Sequence, residues 1–175
     1  MAEMKRVRMG LILLVAVLLA GCASNIKDGI TYLEEENYQA AVECFKKGIV
    51  EKNNLSEVYR GMGIAQYELG NYSAAVDAFN NALENEAEKT ATIYNLMGAS
   101  CLQLKEYEEA LEFYAKALKM EDCTGEMKQE ILFNEIAIYQ ELGDWKTVKE
   151  KVSAYVEAYP DDERMDKTVE FLETR

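Results

Sequence analysis

The chain has no histidine, one proline (Pro160) and one tryptophan (Trp145) among its 175 residues. Without imidazole there is no Ser-His-Asp or Cys-His nucleophile, and the commonest zinc ligand is missing. With a single proline there is no Pro-rich linker, and no segment alternates apolar and polar residues over strand length. An all-helical chain is expected. The four cysteines, Cys22, Cys44, Cys101 and Cys123, never stand in C-x-x-C spacing, which argues against a zinc ribbon or a thioredoxin-like centre. Basic residues are also scarce: 19 Lys and Arg face 32 Asp and Glu, a net charge of −13. A protein that neutralises phosphates needs a basic stripe, so nucleic acid is excluded as a partner. Carboxylate pairs such as Glu108/Glu109 and Asp161/Asp162 read as exposed helix charges, and none stands apart as a general acid. Gly61-Met62-Gly63 follows no strand and lacks a third glycine, so it is no nucleotide loop. No catalytic residue, metal ligand or cofactor is expected, and the chain does not read as an enzyme.

What is present is a repeat. Gly29, Tyr38, Ala41 and Phe45 recur as Gly63, Tyr72, Ala75 and Phe79, and again as Gly98, Tyr107, Ala110 and Tyr114, at spacings of 34 and then 35 residues. A period of that size marks stacked supersecondary units, each too small to bury its own apolar face. In the second copy Tyr59, Met62, Gly63, Ala65 and Tyr67 line one face of a helix. Leu69-Gly70-Asn71-Tyr72 breaks it, because glycine takes the left-handed turn and Asn bonds its own backbone. Ala75, Phe79 and Ala82 then form the stripe of a second helix. Small residues at 63, 75 and 82 let two backbones approach while aromatics fill the neighbouring hollows.

This pattern resembles the tetratricopeptide repeat (TPR), W-x2-L-G-x2-Y followed by A-x3-F and a late Pro. Tyr94-x2-Met97-Gly98, Tyr107, Ala110, Tyr114 and Ala117 carry the resemblance in the third copy. The first keeps Gly29, Tyr32, Tyr38, Ala41 and Phe45 but has Asn25 and Asp28 where large apolar residues are usual, so its opening turn is expected to fray. A weaker fourth copy runs from Phe133-x2-Ile136-Ala137 through Gly143-Asp144-Trp145 to Pro160, with Val148, Val152 and Tyr155 in place of Ala, Phe and Ala. The resemblance implies an all-α, TPR-type α-solenoid of antiparallel helix hairpins over 22–175, with repeats at about 22–55, 56–90, 91–124 and 129–160. A C-terminal capping helix over 161–174 makes nine helices. Asp161-Asp162 read as its start, and Met165, Thr168, Val169 and Leu172 as its apolar stripe. Cys44 and Cys101 are expected to be packing residues. Cys123, in the longer turn Met120–Gly125, is expected to be the accessible thiol.

The first 21 residues read as an address. Lys5, Arg6 and Arg8 precede an apolar run from Gly10 to Ala20, the layout of a secretory signal. The run is shorter than the roughly 20 residues of a membrane span. Leu19-Ala20-Gly21-Cys22 resembles the bacterial lipobox, which implies a diacylglycerol on the Cys22 thiol, cleavage that leaves Cys22 as the new N-terminus, and palmitate among the anchoring chains. Two acyl chains hold a protein stably to a bilayer where one is marginal. Without residues 1–21 the chain would carry 31 acidic against 16 basic residues, a net of −15.

In TPR proteins the first helix of each hairpin lines a concave groove that takes an extended or helical peptide. Carried over position by position, the resemblance implies groove residues Ile26, Ile30 and Leu33 in the first copy, and Arg60, Ile64 and Tyr67 in the second. Asn95, Ala99 and Leu102 follow in the third, and Asn134 and Ile138 in the fourth. Asn95 and Asn134 occupy matching places, where their amides suit a peptide backbone. The carboxylate clamp of chaperone-tail receptors is absent, since its places hold Ile26, Ile30, Thr92 and Leu96. The expected function is a membrane-anchored, extracytoplasmic lipoprotein that scaffolds another envelope protein. The alternative is a self-assembling structural subunit or a pilotin-like assembly factor, with homo-oligomers. Whether the anchoring membrane is a Gram-positive cell membrane or a Gram-negative outer membrane stays open.

Overall fold

The structure is a computed structural model and describes residues 25–174. The expected signal peptide 1–21, the lipidation site Cys22 and the first residues of repeat one lie outside the described residues. Among the described residues all regular structure is helical. Helix α1 covers 25–34, followed by α2 (Tyr38–Glu51), α3 (Leu55–Glu68), α4 (Tyr72–Glu84), α5 (Ala91–Leu104) and α6 (Tyr107–Ala117). Then come α7 (Gly125–Glu141), α8 (Trp145–Ala158), a 3-10 turn (Glu163–Met165) and α9 (Asp166–Glu173). These are the expected nine α-helices, a TPR-type solenoid of helical hairpins. The opening turn expected to fray is helical from residue 25, where Asn25 donates to Glu51 Oε1 at 2.9 Å. The capping helix begins at Asp166 rather than Asp161, because Asp162 caps the 3-10 turn instead. The chain divides between Lys89 and Thr90 into two compact units.

Each hairpin is closed by the same turn. Glu36, Gly70, Lys105 and Gly143 take left-handed φ of 57°, 75°, 63° and 72°. The next residue's N–H reaches back five positions: Asn37 to Tyr32, Asn71 to Gln66, Glu106 to Cys101 and Asp144 to Tyr139, at 2.8–3.0 Å. That satisfies carbonyls which the ending helix leaves without partners. The same residue's carbonyl then accepts from Ala41, Ala75, Ala110 or Val148 and opens the second helix. Asp144 adds side-chain bonds to the N–H and hydroxyl of Thr147, which hold its carboxyl below the usual range. Ending one helix and starting the next thus takes three residues in the first, second and fourth hairpins and two in the third.

Within the hairpins the packing rests on rings set over glycines. A Cβ placed on Gly29, Gly63 or Gly98 would lie 2.7, 2.6 or 2.7 Å from the rings of Phe45, Phe79 and Tyr114 respectively. All three rings have no exposed surface. Burying each Phe contributes roughly 1.5–3 kcal/mol, and the missing methyls are what let the helices close to that depth. In the first unit Phe45 is seated twice, since a Cβ on Gly61 of α3 would meet its ring at 2.3 Å. Ala41, Val42, Val58, Met62 and Ala65 surround it. The fourth hairpin departs from this scheme: with Ala137 in the glycine's place, Val148, Val152 and Tyr155 form a core with Ile136 and Met165.

The expectation for Cys123 is corrected. It is 8% exposed, because the loop carrying it folds onto the start of α5. There the Asp122 carboxylate accepts from the Ala91 N–H at 3.0 and 3.1 Å, an acidic group on a helix N-terminus. Cys44 and Cys101 are also buried and free. Burial raises all three thiols, and Cys101, beside Glu106 and Glu109, is pushed up to about 11.

Gly63→Ala should lower the urea-unfolding free energy by about 1–3 kcal/mol, the typical cost of forcing a methyl into a packed site. Lys105→Gly should raise it by about 1 kcal/mol, since glycine enters the left-handed region without a Cβ clash. Alkylation with iodoacetamide at pH 7, followed by intact mass, should leave Cys44, Cys101 and Cys123 unmodified in the folded chain. All three should label in urea.

Candidate functional site

The residues expected on the inner helix faces divide by what they touch. Ile26, Ile30 and Leu33 of α1 sit at steps of four and three, and they pack partly buried against the core around Phe45. Their side chains hold α1 in place and leave only an edge for a ligand. On α3, Arg60 is exposed, and its guanidinium is tied to Glu57 of the same helix at 2.6 and 3.2 Å. Ile64 and Tyr67 are half-buried, and Tyr67 meets Tyr72 edge-on at 5.8 Å between ring centroids. The first unit therefore offers a shallow face made of Ile64, Tyr67 and the aliphatic stem of a paired arginine.

The second unit is richer. α5 and α7 touch each other, and Asn95, Ala99, Leu102 and Asn134 are all half-buried on them. The carboxamides of Asn95 and Asn134 make no hydrogen bond among the described residues. Asn71, Asn81 and Asn85 instead donate theirs to Gln66, Asp77 and Asn81. Two half-buried amides, each with donors and an acceptor to spare, are set to meet a peptide backbone. Ile138 does not join them. It is fully buried, so it is a core residue and not a groove residue as its place in the repeat implies. The fourth hairpin lacks the glycine seat, and larger aliphatic side chains take up the space.

Two polar arrangements in the second unit were not expected from the sequence. Glu135 of α7, 7% exposed, receives Lys151 of α8 at 2.7 Å, and the ammonium lies 5.5 Å from the Tyr139 ring centroid. Glu135 stands where the second copy has Gly61, and a charge at that small inward position was the available signal. Removing Lys151 would leave the Glu135 carboxylate buried without compensation, whereas the Lys151 side chain is itself 32% exposed. The second arrangement is a latch on the 3-10 turn. Asp162 accepts from Gln129 at 2.7 Å, from the Tyr155 hydroxyl, and from Arg164 Nε and Nη2 at 2.9 and 2.8 Å. Arg164 also donates to Glu130 at 2.7 Å and lies 4.2 Å over the Phe133 ring. The bonds from Arg164 and Tyr155 hold the Asp162 carboxyl far below its usual range, and the carboxylates of Asp162 and Glu130 raise Arg164 further above its own. Glu135, Lys151 and Tyr155 border a small cavity of about 130 Å³ with Leu132, Ile136 and Ala154, and Gln129, Asp162 and Arg164 border an open cleft of about 500 Å³ beside Pro160.

Residues 60–123 match the tetratricopeptide repeat family model. The TPR repeat-containing protein MJ1428 of Methanocaldococcus jannaschii is 26% identical over 145 residues, which is 65% of this chain and 25% of that protein. The chain thus spans a quarter of that relative's length. Among solved structures, a MamA RS-1 double mutant superposes with a TM-score of 0.72 at 19% identity, covering 89% of this chain and 84% of MamA. YrrB, described as a TPR protein with an unusual peptide-binding site, gives 0.65 at 17% identity, covering 78% and 68%. At these identities the structures speak for the fold alone. The recurring turn and the ring-on-glycine packing agree with these likenesses: the described residues form an all-helical solenoid of hairpins with TPR-like neighbours, and residues 60–123 are similar to the tetratricopeptide repeat model.

Proposed function

We propose that this chain is a lipid-anchored, extracytoplasmic adaptor that holds a peptide segment of another envelope protein and performs no chemistry of its own. TPR repeats generally mediate protein–protein contacts, and this coarser reading is supported by the family match and the fold. The observation that carries the finer reading is the inner face of the second unit. Asn95 and Asn134 carry unbonded amides on the touching helices α5 and α7, and α5 adds half-buried Ala99 and Leu102. Such a face suits an extended segment with alternating apolar side chains, its backbone held by the two amides. It does not suit an acidic chain end, which needs cationic clamps. YrrB, of similar fold, is described as having a peptide-binding site, which favours a peptide ligand here as well. The membrane part of the proposal rests on Leu19-Ala20-Gly21-Cys22, and no helix among the described residues is long and apolar enough to cross a membrane.

Crosslinking in cells followed by affinity capture tests the proposal. The intact chain should recover one envelope protein, and a variant carrying Ile64→Glu and Leu102→Glu should lose it while keeping its helical circular dichroism. Recovery of the same partner by the variant would overturn the groove assignment, and recovery of its own copies alone would favour a self-assembling subunit. Cys22→Ala should move the protein from the membrane fraction to the soluble one and abolish palmitate labelling. Continued membrane association without Cys22 would overturn the anchor.

A further inference from the structure

The closing segment combines a tightly held turn with a loosely held helix. The turn is fixed by Met165, 3% exposed, and by the Asp162–Arg164 latch onto Gln129, Glu130 and Tyr155. The helix that follows is different. None of the eight residues of α9 is buried, and its start has no side-chain cap. Val169 and Leu172 are partly buried against the core of the fourth hairpin. Phe171 meets the ring of Trp145 at 5.0 Å, but Trp145 is itself 44% exposed. Thr168 accepts one hydrogen bond from Gln140 at 3.1 Å. Between α8 and α9 runs an open groove of about 480 Å³, walled by Val152, Val156, Val169 and Leu172. A helix of eight residues does not persist alone in water, so α9 is helical only while it is seated. Half-buried contacts beside an open groove belong to the low end of local opening free energies.

We propose that α9 is a releasable strap: it undocks and unravels as a unit, hinged just after Met165, while the latch and the α7–α8 hairpin stay folded. Opening uncovers the Val152 and Val156 face of α8 and separates Trp145 from Phe171. This device is independent of the inner-face reading above, since it concerns the opposite end of the second unit's sequence and a different set of side chains. The latch makes it work, because it stops the opening at residue 165 and prevents it from spreading into α8.

Hydrogen–deuterium exchange of the full chain, read by mass spectrometry, tests this. Amides of residues 167–174 should exchange at least about tenfold faster than those of α8 yet slower than an unstructured peptide. Val169→Ser should accelerate exchange in α9 alone. Because Trp145 is the sole tryptophan, its emission should shift at lower urea than the helical circular dichroism falls. Equal exchange in α9 and α8, with Val169→Ser accelerating both alike, would overturn the strap and make α9 part of the hairpin's cooperative unit. Unprotected α9 amides would overturn it as well, because the helix would then never be seated.

Discussion

The aromatic ring seated on a glycine is the contact on which the rest of this structure depends. A helix hairpin has too little apolar surface to hold itself unless its two backbones come close. In the first three hairpins they come close where a side chain is missing on one helix and a large flat one fills the gap from the other. Gly63 under Phe79 and Gly98 under Tyr114 meet that condition once per hairpin, and Phe45 meets it twice, from Gly29 and from Gly61. The seat sets how deeply α1 and α3 approach α2, and so which faces remain for anything else. The inner residues Ile64, Asn95 and Leu102 are half-exposed because the opposite side of each helix is committed to its ring.

The same logic separates what could be read in the sequence from what could not. Glycine, tyrosine, alanine and phenylalanine recurring in step disclosed the hairpins, because the contacts they make are local and repeat with the period. Two of the four left-handed turn positions, Glu36 and Lys105, carry no glycine. Their turns were legible only through the surrounding period, since backbone hydrogen bonds form the turn whatever the side chain. Cys123 was misjudged because its environment depends on Asp122 reaching the N-terminus of α5, a contact 31 positions away that no local pattern encodes. Ile138 was misjudged for a related reason. In the fourth hairpin the glycine seat is replaced by other packing, and a position that is half-buried on the inner face elsewhere turns into core.

The candidate site was legible in part. Matching places in successive repeats singled out Asn95 and Asn134, and the structure adds that both amides lack hydrogen-bond partners among the described residues. The first-copy residues Ile26, Ile30 and Leu33 have the right helical spacing, but they are spent on packing. Periodicity identifies a face, and it does not tell whether another helix already covers that face. Glu135 gave a signal by its charge at a small inward position, but its partner Lys151, and the reach of the Asp162–Arg164 latch to Glu130, could not be read because they join side chains of different elements. Their places depart from the repeat, which is where a chain's own requirements are written over a shared pattern.

The seats also share a separation along the chain. Gly29 to Phe45, Phe45 to Gly61, Gly63 to Phe79 and Gly98 to Tyr114 are each sixteen positions apart. The contacts that close the hairpins are therefore short loops, and low contact order goes with fast folding. A chain organised this way need not search for distant partners, because each hairpin finds its own keystone within about two helix lengths. Its length can change by whole hairpins over evolutionary time with little effect on how quickly any one of them forms.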